Sequence, residues 1–195
     1  MNNLFTDEKH YLTLNNYLKN IYNEKVFKVS LNGNFSCPNR DGKISTNGCI
    51  FCSFKGSGDF AGNINLSIKD QFYEVVSKLE NKWPNGAYIA YFQANTNTYG
   101  TVDDLKMRYE QIIKDGKKLD DKIKVLSIAT RPDCLNDDIL DLLNTINQQL
   151  PLWIELGFQS SNENTAKFIN RGYQNECLIK AVNNLKALGI KVIVH

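Results

Sequence analysis

The stretch Ala87-Tyr88-Ile89-Ala90-Tyr91-Phe92, running into Gln93-Ala94-Asn95-Thr96-Asn97-Thr98, decides the fold class. Six apolar residues are too few for a buried helix and enough for a strand covered on both faces. The figure recurs downstream. Ile123 to Ala129 ends at Thr130-Arg131-Pro132-Asp133, and Leu152 to Phe158 ends at Gln159-Ser160. Val26 to Leu31 precedes it as a first strand, and Ile190 opens a fifth. Helical spacing fills the intervals: residues 68–83, with Phe72, Val75, Val76 and Leu79 on one face, a helix N-capped by Thr101, residues 136–147, 162–169 and 174–188. A further helix is expected over about residues 8–22. Strands alternating with helices imply parallel pairing through right-handed crossovers, hence an α/β fold. Periodicity leaves a barrel and an open doubly wound sheet equally possible. No G-x-G-x-x-G follows the first strand, which weakens a dinucleotide-binding reading.

Composition narrows the function classes. The chain has 195 residues, 23 Lys+Arg against 21 Asp+Glu, and 42% hydrophobic residues. A net charge of +2 gives no electrostatic case for a nucleic-acid or membrane-surface protein. No apolar run approaches the roughly 20 residues of a membrane span. The first ten residues have neither a basic start nor an apolar core, so a cytoplasmic protein without a secretory leader is expected. Five cysteines, an odd number in a chain of this size, argue against a disulfide framework.

Three of those cysteines stand in a polar, glycine- and asparagine-rich loop over residues 32–62. Cys37 and Cys49-Ile50-Phe51-Cys52 form a C-x11-C-x2-C set. Reduced buried cysteines belong in core elements, not in such a loop. Structural zinc needs four closed ligands, so His10 or Asp41 would have to complete a zinc-binding module that is not an enzyme. Three thiolates without a fourth ligand fit a four-iron cluster with one iron left open.

Cys37-Pro38-Asn39-Arg40-Asp41-Gly42 and Gly48-Cys49-Ile50-Phe51-Cys52, taken with Thr130-Arg131-Pro132-Asp133 and Glu155-Leu156-Gly157-Phe158-Gln159-Ser160, resemble the radical S-adenosylmethionine (SAM) superfamily. The nearest likeness is to a bacterial subgroup related to the radical SAM domain of the Elongator catalytic subunit. The long first cysteine gap departs from the usual C-x3-C-x2-C and is expected of that subgroup. The resemblance implies a partial (βα) barrel and a [4Fe–4S] cluster held by Cys37, Cys49 and Cys52. That cluster would cleave SAM reductively to a 5′-deoxyadenosyl radical, which takes hydrogen from a substrate that is a small molecule or RNA. A one-electron donor such as flavodoxin or ferredoxin is implied as partner.

The resemblance also implies SAM contacts. Phe51 matches the aromatic position near the adenine, and Gln93 and Asn95 stand where relatives contact the amino group. Gln159 matches a glutamine facing the ribose or methionine moiety, and Arg171, 12 residues on, an arginine that pairs with the carboxylate. Ala129 stands where relatives often carry Glu. No catalytic residue is assigned. Strand alternation puts Glu155 on one face with Gly157 and Gln159, and a buried Glu there needs a partner. Cys134 and Cys177 read as ordinary thiols. The fifth strand, residues 190–195, stops without a helix to cover it, so residues 1–195 are expected to represent a core that lacks its C-terminal part.

Overall fold

The computed structural model describes residues 10–195. Along the chain come α1 (Leu14–Tyr22), β1 (Val26–Leu31), α2 (Ile68–Lys82), β2 (Ala87–Phe92), α3 (Val102–Tyr109), β3 (Ile113–Lys114), β4 (Lys117–Lys118), β5 (Ile123–Thr130), α4 (Asp137–Asn147), β6 (Leu152–Leu156), α5 (Glu163–Phe168), α6 (Asn175–Ala187) and β7 (Lys191–Val194). Helix starts follow capping chemistry. The side chains of Thr13, Ser67, Thr101, Asn136 and Asn162 each accept a hydrogen bond from a backbone N–H in the first turn they precede.

Five strands form one parallel sheet in the order β1-β2-β5-β6-β7. Spatial order follows chain order without reversal. A doubly wound sheet reverses at a switch point, so the open alternative falls and the partial barrel stands. The two sheet faces confirm it. Val29, Leu31, Ala90, Phe92, Leu126, Ile128, Ile154 and Leu156 point outward into the core shared with the helices that follow β1. Val26, Ala87, Ile89, Val125 and Trp153 point into the lumen, where Leu18 of α1 packs against them. Helix α1 therefore plugs the lumen at the amino ends of the strands.

Two expectations need correction. The first helix begins at Leu14, not near residue 8, because Thr13 caps it; Glu8 and Lys9 lie outside the described residues. The segment after α3 holds an antiparallel hairpin, Ile113–Lys114 with Lys117–Lys118, that the helix-and-strand pattern did not anticipate. Its turn is Asp115-Gly116, with φ of 51° and 74°. Positive φ at both central residues is what a type I′ turn requires, and Asp-Gly is a sequence signal for it.

Candidate functional site

The carboxyl ends of β2, β5, β6 and β7 open with the cysteine loop onto one cavity of about 220 Å³. One wall carries Cys37, Cys49, Cys52, Phe51 and Arg40; the wall beyond β2 carries Gln93 and Asn95; the ends of β5 to β7 contribute Gln159 among others, and the connection between α5 and α6 contributes Arg171 and Tyr173. The residues named from the sequence as cluster ligands or SAM contacts all line this cavity.

The long gap between the first two cysteines closes on itself. Pro38 O accepts from Ile44 N at 2.8 Å and Asn39 O from Gly48 N at 2.7 Å. Residues 40–47 thus form a side lobe, and the backbone leaving Asn39 meets the backbone arriving at Gly48, so Cys37 is brought beside Cys49 and Cys52 on the cavity wall. Gly48 turns there at φ 71°. The lobe is latched to the α5–α6 connection: Ile50 N donates to Ile169 O, Asn39 Nδ2 to Asn170 O, and Asn170 Nδ2 to Gly48 O.

The thiols are polarised. A hydrogen bond from Cys49, with smaller help from the Ser57 hydroxyl and the charges of Arg40 and Arg131, holds Cys52 down at about 6. Cys49, the donor of that pair, is pushed up. Asn39 Nδ2 donates to Cys49 Sγ at 3.3 Å, and Ser57 Oγ lies 3.4 Å from Cys52 Sγ. Cys134 is pushed up to about 12, by burial first and by Asp133 second, and lies off this wall. The donor set suits an iron–sulfur cluster: three sulfurs on one cavity wall with no His or carboxylate among them. Among the described residues no three His, Cys, Asp or Glu side chains converge to hold a single metal ion. His10 and Asp41, the required fourth ligands of a zinc site, do not line the cavity.

Gln93 donates Nε2 to Ser57 O at 3.0 Å, which orients its carboxamide. Asn95 takes φ 62°, and its N–H donates to Gly56 O at 2.8 Å. Gln159, at φ 69°, donates its N–H to His195 O at 2.7 Å and keeps an exposed side chain at the rim. Arg171 departs from its expected part as partner of a carboxylate. It is 1% exposed, and all five of its N–H donors are engaged by protein. Nε and one Nη2 hydrogen go to Tyr173 O, the other to Asn175 Oδ1, and Nη1 to Phe158 O and Ser160 O. No donor is left for a carboxylate. Arg131 is paired in bidentate fashion with Asp133 and donates Nη1 to Arg171 O, which engages three of its five N–H donors. Among the described residues the Arg40 side chain makes a single hydrogen bond, Nη1 to Ser53 O, and has donors to offer.

The partner of Glu155 is also found. Lys28 reaches across the lumen from β1 to bond it at 2.6 Å, Ser127 donates at 2.5 Å, and His195 Nε2 lies 2.9 Å away. Burial would raise this carboxyl, but the hydrogen bonds from His195, Lys28 and Ser127 overcome it and hold it at about 2. The Tyr91 phenol is pushed up by burial first and then by the neighbouring Glu155 charge, and Lys28 Nζ lies 4.1 Å from its ring centroid. These residues form a polar floor between the apolar plug of α1 and the cavity mouth. Sequence reasoning missed Lys28, although its even spacing from Val26 in a strand set it on the lumen face.

A parallel partial barrel with three thiols and polar strand ends around one mouth defines a radical SAM domain, and the chain belongs to the radical SAM superfamily, whose profile matches residues 42–195. Members of that family typically bind a [4Fe–4S] cluster and SAM. The chain is 47% identical over 188 residues to the uncharacterized protein YtqA of Bacillus subtilis, covering 96% of this chain and 57% of the relative. It is 38% identical over 175 residues to protein YhcC of Escherichia coli, covering 89% of this chain and 54% of that protein. Among solved structures, Elp3 of Methanocaldococcus infernus shares the fold, with TM-score 0.57 at 20% identity, covering 87% of this chain and 37% of that one. The chain thus spans about half the length of the curated relatives it matches. No described helix is long and apolar enough to cross a membrane.

Proposed function

We propose that this chain carries the cluster and SAM site of a radical SAM enzyme, with Cys37, Cys49 and Cys52 as the ligands of a [4Fe–4S] cluster. The observation that carries this reading is the convergence of the three thiols on one cavity with four strand ends. When bound, the cluster supplies the electron that cleaves SAM to methionine and a 5′-deoxyadenosyl radical, which takes hydrogen from the substrate. The chain's own residues bind and orient. Phe51 offers its exposed ring at the mouth as a wall for the adenine. The Gln93 carboxamide, tied through Nε2, turns its oxygen toward the amino group of SAM, and Asn95 flanks it. Gln159 faces the ribose or the methionine moiety, and Arg40 takes the carboxylate in place of Arg171. The floor of Lys28, Tyr91 and Glu155 bounds the cavity on the lumen side.

Anaerobic reconstitution with iron and sulfide is expected to give about four irons per chain, and SAM plus a strong reductant to give 5′-deoxyadenosine. Alanine at Cys37, Cys49 or Cys52 is expected to abolish both; a fully formed cluster in Cys37→Ala overturns the ligand assignment. Colourless protein that retains one zinc per chain would favour the zinc-binding module instead. The electron donor is proposed to be a flavodoxin- or ferredoxin-type protein, and the substrate a small molecule or an RNA group. Comparing metabolite and tRNA-modification profiles of cells with and without the protein separates those two.

A further inference from the structure

Asn39 is fully buried, and the orientation of its carboxamide is dictated by what surrounds it. The Asn170 carbonyl oxygen, which can only accept, lies 2.6 Å from Nδ2. Exchanging the amide N and O would set two carbonyl oxygens against each other, so the assignment rests on chemistry as well as on coordinates. The NH2 has a second hydrogen, and Cys49 Sγ lies 3.3 Å away to receive it. Among the described residues Oδ1 is buried without a partner, where most buried acceptors have one. The arrangement leaves an acceptor unsatisfied and keeps a donor at the sulfur. A thiol is a weak acceptor; a metal-bound thiolate is a strong one.

Resting on the cluster reading above, we propose that Asn39 tunes the reduction potential of the cluster through its Nδ2–H···Sγ bond to Cys49. Ser57, with its hydroxyl 3.4 Å from Cys52 Sγ, acts in the same sense. The positive end of an N–H or O–H dipole at a ligand sulfur favours the more negative, reduced state of the cluster, so each such bond raises the potential. Asn39 is a positioning residue: it touches a ligand and not SAM or substrate. Its two bonds give it two separable roles, one at the sulfur and one in the latch to residue 170.

The test is a potentiometric titration of the reconstituted protein followed by EPR, with iron content as the loading control. Asn39→Leu, close in volume and without the donor, is expected to load iron and to show a more negative midpoint. Ser57→Ala is expected to move the midpoint less, in the same direction. Asn170→Gly removes the side-chain half of the latch, suits the positive φ of 55° at that position, and keeps the backbone carbonyl. Its midpoint is expected to match the wild type. An unchanged midpoint in fully loaded Asn39→Leu, or an equal fall in Asn170→Gly, overturns the proposal. If Asn39→Leu takes up no iron, wild-type protein carrying ¹⁵N in its asparagine side-chain amides decides. A ¹⁵N coupling to the reduced cluster supports the bond, and its absence overturns it. A wild-type protein that takes up no iron at all overturns the cluster reading, and this inference with it.

Discussion

At the scale of single residues, two arginines of one cavity differ in the donors that protein contacts leave them. Arg171 satisfies the carbonyls of Phe158, Ser160 and Tyr173, which fixes the turn after β6. Arg171→Lys cannot reproduce a five-donor fork, and it is expected to lower stability by about 3–5 kcal/mol, read by urea unfolding. Arg40→Ala is expected to leave the unfolding midpoint nearly unchanged and to weaken SAM binding about tenfold, roughly 1.4 kcal/mol, read by calorimetry on the loaded protein. Glu155 gives a pH signature. Its carboxyl takes a proton near 4.5 when unfolded and near 2 when folded. The stability it contributes is therefore complete above pH 4.5 and is lost as pH falls toward 2. Glu155→Gln is expected to be less stable at neutral pH and to lose the part of the acid limb in that window, measured by denaturation at stepped pH.

Elements show how far sequence patterns reach. The five strands are readable because each is a short run rich in apolar residues, with β2, β5 and β6 buried along most of their length, and the helices because their apolar stripes meet a capping residue. Sequence reasoning passed over the hairpin, although Asp115-Gly116 announced its turn, because strands of two residues carry no periodicity. The cysteine loop is legible as a ligand set but not as a shape, since its folding rests on bonds to Ile169 and Asn170, more than a hundred residues away. Gly56 shows how tightly that loop is built. It turns at φ 62°, and a Cβ there would collide with the Asn95 carboxamide. Gly56→Ala is expected to cost at least the 1–2 kcal/mol of a left-handed alanine and to lower iron retention. The double change with Asn95→Gly should recover part of the steric loss but not the backbone strain; both are read by iron content after gel filtration.

At the scale of the whole molecule, the lumen is layered. Helix α1 and the first lumen-facing residues form an apolar plug, Lys28, Tyr91, Ser127 and Glu155 form a polar floor, and the thiols and polar strand ends stand above. Stability should follow that order. Amides of β2 and β5, each paired on both sides in the sheet, are expected to exchange slowest, and those of residues 37–62 fast. Anaerobic loading with iron and sulfide should slow the loop about tenfold or more while leaving β2 and β5 unchanged, as followed by hydrogen exchange. A loop equally slow before and after loading would show that it is held without a cluster.

The sequence by itself determined the α/β class, the five parallel strands and several of the residues that line the cavity, the three cysteines and the polar strand ends among them, because periodicity and strand-end polarity are local properties of the chain. Tertiary structure alone decided that the sheet runs without reversal, that Lys28 and His195 serve Glu155, and that Arg171 is a structural tie while Arg40 keeps free donors. The contacts to Glu155 join residues 40 and 127 positions apart. Which donor an arginine has left to offer follows from the carbonyls folding brings to it, and no spacing in the chain encodes that.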